Sequence, residues 1–393
     1  MTTVPSPGGF GPIICVVGAR PNYMKMAPIV RAFAAHEPPL PFILVHTGQH
    51  YDANMNDRLF AGLRLPPPDI NLEVGSGTHA VQTAEIMRRF EPVIDQHQPS
   101  CVLVVGDVNS TLACALVAVK KGVPVAHVEA GLRSNDRGMP EEINRILTDQ
   151  ITDILYTTER SALDNLVREG IDAKRIQFVG NVMIDSLLSS AQQAIEPAVT
   201  LAQAGANPEV LRHPAGFGLV TLHRPSNVDH ADCLGPLLRT LREVSERLPL
   251  IFALHPRTRG NIDRFGLADM IASANIVMLP PQGYLETLGL MRAAKMVLTD
   301  SGGIQEETTA LAVPCITLRE NTERPITVVE GTNTLVGRDR DLILAAVNDV
   351  LSGAGKRGRR PEYWDGHAAE RIAAHLGDWL GRRHAKTVGE EHG

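Results

Sequence analysis

Short apolar runs separated by amphipathic stretches recur along almost the whole chain, and this alternation constrains the fold more than any other feature. An apolar run of four or five residues between turn residues suits a strand buried on both faces, and the stretch after it suits a helix covering the sheet. Repetition of that unit makes an α/β fold with parallel sheets. In the first half the strands fall at 13–17, 42–46, 102–105, 123–127, 154–156 and 176–179, with helices between them at 28–35, 111–121 and 141–152. The second half restarts the rhythm at 218–222, 250–254, 276–279, 296–299 and 314–318. Residues 189–216, rich in Ala, Pro and Gln, interrupt it, and 393 residues exceed what one core usually supports. We therefore expect two Rossmann-like domains, 12–185 and 186–365, facing each other across a cleft at the C-terminal ends of their strands. A helix around 367–382 follows, then a polar tail, 386–393, expected to be disordered.

A net charge of −6 with no long basic run argues against a nucleic-acid partner held by phosphate neutralisation. Local cations and helix N-termini can still hold a small anion. No apolar stretch reaches the roughly 20 residues needed to span a bilayer, and the N-terminus has no charged and apolar leader pattern, so a cytoplasmic location is expected. The five cysteines are scattered and odd in number, which suits buried free thiols and offers neither a disulfide framework nor a zinc site.

Polar residues cluster where strands end, the edge on which such sheets carry ligands. The first strand runs into Gly18-Ala19-Arg20-Pro21, with Lys25 in the helix start. Later strand ends deliver Gly106-Asp107, then His127-Val128-Glu129-Ala130-Gly131-Leu132-Arg133, then His223-Arg224, then His255-Pro256, then Asp300-Ser301-Gly302-Gly303. The last is the clearest phosphate site: glycines allow close backbone approach, the following helix offers free N–H groups, and Glu307 could meet ribose hydroxyls. The plainer alternative is a glycine turn before a helix. Glu141 and Arg145 follow Pro140 at a spacing that puts them on one helix face, where a surface salt bridge is equally ordinary.

Two patterns mislead. Gly75-Ser76-Gly77-Thr78-His79-Ala80 fits a dinucleotide fingerprint, but the preceding 69–74 is too polar for a buried parallel strand and no acid ends a second strand at the right distance. We read it as a helix start and expect no NAD or other cofactor. His46 and His50 straddle a glycine in a loop, so helical metal-ligand spacing does not apply.

Eight motifs, in order, resemble the UDP-N-acetylglucosamine 2-epimerases of the non-hydrolysing type, over about residues 14–337. They are Gly18-Ala19-Arg20-Pro21 with Lys25-Met26-Ala27-Pro28, Gly106-Asp107, His127 to Arg133, Pro140 to Arg145, Gly180-Asn181, His223-Arg224, Asp300 to Glu307, and Thr322-Glu323-Arg324-Pro325. The resemblance implies a GT-B-like fold, a homodimer, and a C-terminal helix packed back on the first domain. It implies UDP held by Arg20, Gln282, Ser301, Gly302, Gly303, Glu307 and Arg324, with His255 among the substrate-binding groups. Lys25, Asp107, Glu129, Glu141, Arg145 and His223 would surround the pyrophosphate and the sugar.

The implied chemistry needs such residues. The hydrogen on carbon 2 is not beside a carbonyl carbon, so simple deprotonation gives no stabilised anion. One route oxidises a neighbouring hydroxyl and needs NAD, for which the chain has no convincing fingerprint; the other removes the hydrogen while UDP departs from carbon 1, giving a 2-acetamidoglucal. Proton transfer needs carboxylates and the leaving diphosphate needs cations. Asp107, Glu129 and Glu141 are the acid/base candidates, and His223 would stabilise the diphosphate with Arg20 and Lys25.

The chain departs from the family pattern at Asn22-Tyr23-Met24, at Met139, where a Trp is common, and at Thr287, where many members have an aromatic. Uracil stacking at 287 is therefore not expected. Asp52 and Glu85, near the Gln49-His50 loop where members bind an activating second UDP-GlcNAc, argue against activation here. The alternatives are a hydrolysing epimerase, a 2-epimerase of a modified UDP-sugar, a GT-B glycosyltransferase, and a nucleotide-sugar sensor without turnover.

Overall fold

The computed structural model describes residues 10–48, 65–272 and 275–391. The chain divides into two compact units, one of residues 1–189 with 362–393 and the other of 190–361. Each is a parallel sheet with its helices.

In the first unit the strands are β1 (Ile13–Val17), β2 (Phe42–His46), β3 (Ile70–Asn71), β4 (Cys101–Val105), β5 (Val125–Ala130), β6 (Ile154–Thr157) and β7 (Ile176–Phe178), ordered β3-β2-β1-β4-β5-β6-β7. β1 and β4 are buried at every position, as two-faced coverage by helices demands. Ile14, Val16, Val102 and Val104 pack with Phe90, Ile94, Cys114 and Val117 of the covering helices. The edge strand β3 has two residues and pairs with β2. It lies in the polar stretch that the sequence reading rejected as a buried strand, and an edge position is where such a sequence can pair.

The second unit has β8 (Gly218–Thr221), β9 (Leu250–Ala253), β10 (Ile276–Leu279), β11 (Met296–Thr299), β12 (Cys315–Thr317) and β13 (Asn333–Leu335), ordered β10-β9-β8-β11-β12-β13. Its core joins Val220, Leu250, Phe252, Leu298 and Ile316 to Leu237, Leu241 and Val347. Both sheets wind outward from a central strand and reverse direction once, between β1 and β4 and between β8 and β11. That reversal opens a crevice at the strand C-termini, the general ligand position in such sheets.

Two sequence expectations change at the chain's later elements. β13 was not anticipated, because Asn333 and Thr334 hide its apolar character. The final helix spans Ala368–Glu391, so the backbone of the expected disordered tail is helical to residue 391. That helix belongs to the first unit. The Asp185 carboxylate accepts the amides of Ala368 and Ala369 at 3.2 and 2.7 Å, Tyr156 Oη lies 3.0 Å from His375 Nδ1, and Gly377 leaves room for His36.

Candidate active site

The first unit gathers its polar residues at the ends of β1, β4 and β5. Asn22 Oδ1 accepts the amides of Gly18 and Ala19 at 3.1 and 3.0 Å, while its Nδ2 donates to Val105 O at 3.0 Å. This residue ties the first βα turn to the end of β4. Arg20 opens the helix Arg20–Ala35, but its side chain lies outside the described residues. One turn on, Lys25 Nζ lies 2.6 Å from Glu129 Oε2, with both side chains buried. Gly106 has φ +69°, and a Cβ there would stand 2.8 Å from Lys25 Nζ, so glycine serves both the turn and the approach of the lysine.

Asp107 and Glu129 differ in access. The Asp107 side chain is 22% exposed and that of Glu129 only 1%, so Asp107 is the carboxylate open to solvent. Arg145 Nη1 lies 3.3 Å from Asp107 Oδ2, and Asn144 Nδ2 donates to Asp107 O at 2.9 Å. Arg145 does not pair with Glu141, as i,i+4 spacing suggested. Its second partner is Glu142 at 3.0 Å, whose oxygens also accept the amides of Ser134 and Asn135. Glu142 is buried and holds the loop, while Glu141 is half-buried without a hydrogen bond or ion pair among the described residues. Sequence spacing cannot separate these neighbours, because which face of the helix meets the loop is a tertiary matter.

Glu129 itself sits at φ +71°, where the β5–β6 ladder shifts register. A non-glycine residue in that region costs about 1–3 kcal/mol and persists only where its surroundings impose it.

In the second unit the centre is Asp300, fully buried at the end of β11. Its carboxylate accepts the amides of His223 and Arg224, at 3.0 and 2.9 Å, and Asn227 Nδ2 at 3.1 Å, and lies 3.0 Å from His223 Nδ1. Burial would raise this carboxyl; His223 and the two amides overcome burial and hold it below its ordinary value. Asp300 thereby orients the partly exposed His223 ring through its Nδ1. The His223 and His255 rings stand 5.6 Å apart, and His255 Nδ1 accepts the Arg257 amide to cap the helix Pro256–Arg264.

The helix Gly302–Leu311 starts just after Asp300, and the Ser301 side chain does not cap it, so its first-turn amides have no side-chain partner there. The glycine at 302 has a further reason. A Cβ would stand 2.6 Å from Glu323 Oε1, so its absence admits the Glu323-Arg324 pair. Arg324 is buried; its Nε lies 2.9 Å from Glu306 and its Nη1 2.8 Å from Glu323. Glu323 also faces Arg319 at 2.8 Å and Arg224 at 3.7 Å. Burial works to raise the Glu323 carboxyl, and Arg324, Arg319 and Arg224 drive it far below the carboxylate range. Glu307 is buried in the same helix, and burial, with Glu307 beside it, pushes the Tyr284 phenol up. Gln282 is half-buried and donates to Pro280 O at 2.7 Å. The structure thus brings together Lys25, Asp107, Glu129 and Arg145 in one unit, and His223, Asp300, Ser301, Gly302, Glu307 and Arg324 in the other.

The remaining motifs resolve plainly. Gly75–Ala80 follows the edge strand β3, Thr78 caps the helix His79–His97, and His79 Nδ1 lies 3.3 Å from Asn109 Oδ1 at the start of the helix after β4. His46 is buried, 3.2 Å from Asn71 Oδ1 and in contact with the Tyr23 hydroxyl. Glu85 spends its charge on Arg88 and Arg89. Gln49, His50 and Asp52 lie outside the described residues. A cavity of about 350 Å³ opens at the opposite edge of the second unit, lined by Lys295, Ala312, Val350, Lys356 and Arg357 among others. The helices Gly302–Leu311 and Arg340–Leu351 end at that wall, and Lys356 Nζ donates to Val328 O and Asn333 O. Its cations answer helix C-termini, which disfavour an anion.

A family model described as UDP-N-acetylglucosamine 2-epimerase matches residues 33–377. The chain belongs to that family. The family is one of isomerases, and two Rossmann-like units make this a GT-B-like α/β chain. A UDP-N-acetylglucosamine 2-epimerase of Methanocaldococcus jannaschii is 42% identical over 91% of this chain and 96% of its own. A UDP-2,3-diacetamido-2,3-dideoxy-D-glucuronate 2-epimerase of Pseudomonas aeruginosa is also 42% identical, over 93% of this chain and 99% of its own. A crystal structure of the Methanocaldococcus jannaschii UDP-GlcNAc 2-epimerase, in complex with UDP-GlcNAc and UDP, superposes with a TM-score of 0.80 over 93% of this chain and 99% of that one. Among the described residues no helix is long and apolar enough to cross a membrane.

Proposed function

We propose that the protein is a non-hydrolysing UDP-GlcNAc 2-epimerase that interconverts UDP-GlcNAc and UDP-ManNAc through elimination and re-addition of UDP. The observation that carries this reading is the Lys25–Glu129 pair beside Asp107 and Arg145 at the end of β4 and β5. Two carboxylates in different environments, each matched to a cation, suit proton transfer to and from one carbon. A carboxylate takes the hydrogen from carbon 2 while the bond between carbon 1 and the UDP oxygen breaks, its electrons leaving with UDP. The 2-acetamidoglucal is then protonated at carbon 2 on the other face, and the UDP oxygen re-forms its bond to carbon 1.

In the second unit the first-turn amides of Gly302–Leu311, with Ser301, Glu307, Arg324 and Gln282, would hold the UDP part. His223, oriented by Asp300, would stabilise the diphosphate, and His255 stands beside it. Arg20, Lys25 and Arg145 would balance the charge of the leaving group. Glu141, close in sequence to the buried Glu142, is the third proton-transfer candidate.

The test is proton NMR of the protein with UDP-GlcNAc in D2O. UDP-ManNAc carrying deuterium at carbon 2, with no free ManNAc, is expected. Free ManNAc and UDP would establish the hydrolysing reaction instead. No turnover of UDP-GlcNAc, together with turnover of a UDP-2,3-diacetamido uronate, would assign the chain the substrate that names its Pseudomonas relative.

A further inference from the structure

Between His127 and Arg133 the motif contains residues that the proposed chemistry does not use. His127 is fully buried, with Nδ1 2.7 Å from Asp149 Oδ1 and Nε2 2.8 Å from Gly106 O. A carbonyl can only accept, so Nε2 donates to Gly106 O, and Nδ1 faces the Asp149 carboxylate. Asp149 Oδ2 accepts the Gly131 amide at 3.0 Å and lies 2.8 Å from Arg133 Nη2. Arg133 is itself forked onto Glu169 at 2.8 and 2.7 Å. On its outer side Gly131 is clamped too: Asn165 Nδ2 donates to its carbonyl at 3.0 Å, and a Cβ there would lie 2.5 Å from Ala162 O.

The two oxygens of Asp149 therefore reach both sides of residue 129, one through the His127 ring and one through the Gly131 amide. Between them lies the left-handed Glu129 backbone. Through Gly106 O the same ring fixes the peptide before Asp107. His127 and Asp149 are wholly buried, so they act through these neighbours and not on substrate. We propose that the His127–Asp149–Arg133 network positions the Glu129 carboxylate for proton transfer by holding its strained backbone in place.

This rests on the reading of Glu129 as an acid/base group, and a double-mutant cycle separates the two. Turnover and carbon-2 deuterium exchange with UDP-GlcNAc are measured for wild type, Asp149→Asn, Glu129→Gln and the double variant, with UDP stoichiometry by calorimetry to count folded protein. Asp149→Asn is expected to lower kcat about 10–100-fold with KM within about threefold, the usual loss for an orienting partner. In the Glu129→Gln background the same change should cost less than about threefold further, because the group it positions has gone. Equal losses in both backgrounds would reduce the network to a structural support and overturn the proposal, as would full activity of Asp149→Asn. Full turnover by Glu129→Gln alone would instead remove the carboxylate assignment, and the proposal with it. If Asp149→Asn does not fold, Arg133→Lys, which keeps the charge but gives up the fork on Glu169, is read in the same cycle with an expected loss of about 3–10-fold.

Discussion

Charge burial separates the residues that could meet a ligand from those that build the site. Sequence reasoning assigned Arg324 to UDP, and the fold places its guanidinium between Glu306 and Glu323. Glu323, within the Thr322-Glu323-Arg324-Pro325 motif but given no role of its own, pairs with three arginines. Removing one partner of a buried ionic group leaves the others uncompensated, at a cost of about 3–5 kcal/mol. Glu323→Gln should therefore lower the stability of the second unit by that order, read from urea denaturation. It should also weaken UDP binding through disorder of Arg324. Unchanged stability would mean that solvent screens the three guanidiniums. Asn22, Glu142 and Asn227 were missed for a related reason. Each acts by hydrogen-bonding loop backbone, and no residue type or spacing announces that role.

Helix ends and turns carry the next level of control. At Gly302 the sequence suggested close approach of a phosphate, and the fold adds the packing of Glu323 and Arg324 against the missing Cβ. The C-terminal helix shows how such an end can sense pH. Asp185 accepts its first amides, and burial raises this carboxyl to about 6 although those amides pull it down. A carboxyl with a folded value above its unfolded one, near 3.9, favours the folded state when protonated. Its contribution is complete below about pH 4 and is lost as pH rises through about 6, a change of about 3 kcal/mol. The stability of wild type relative to Asp185→Asn should fall by that order between pH 4 and pH 7.5, as read from urea midpoints. A gap that grows with pH would show that the amides outweigh burial.

At the scale of the whole chain, each unit has its own core and its own strand reversal, so each can be assigned a task and tested for it. Saturating UDP should slow hydrogen exchange at residues 302–304 in the second unit at least about tenfold, since bound phosphate would occupy those amides. Unchanged exchange there, with clear UDP binding by calorimetry, would move the phosphate site elsewhere. Family membership, read from eight short motifs, is borne out by the family match and the relatives. So is the α/β class: eleven strands were anticipated from apolar runs, and the two missed, β3 and β13, have two and three residues and polar members.

What the sequence determined by itself is local in origin. Apolar periodicity specifies parallel strands and covering helices, since buried faces must be apolar. Gly-rich turns at strand ends mark where backbone can approach a ligand, since only glycine combines left-handed φ with no side chain. The tertiary structure alone decided which polar side chains meet. It paired Arg145 with Glu142 and Asp107, buried Arg324 between two glutamates, and joined His127 to Asp149 around Glu129. Ion pairs and hydrogen bonds depend on distance and desolvation between segments far apart in the chain, and spacing along one segment carries no information about either.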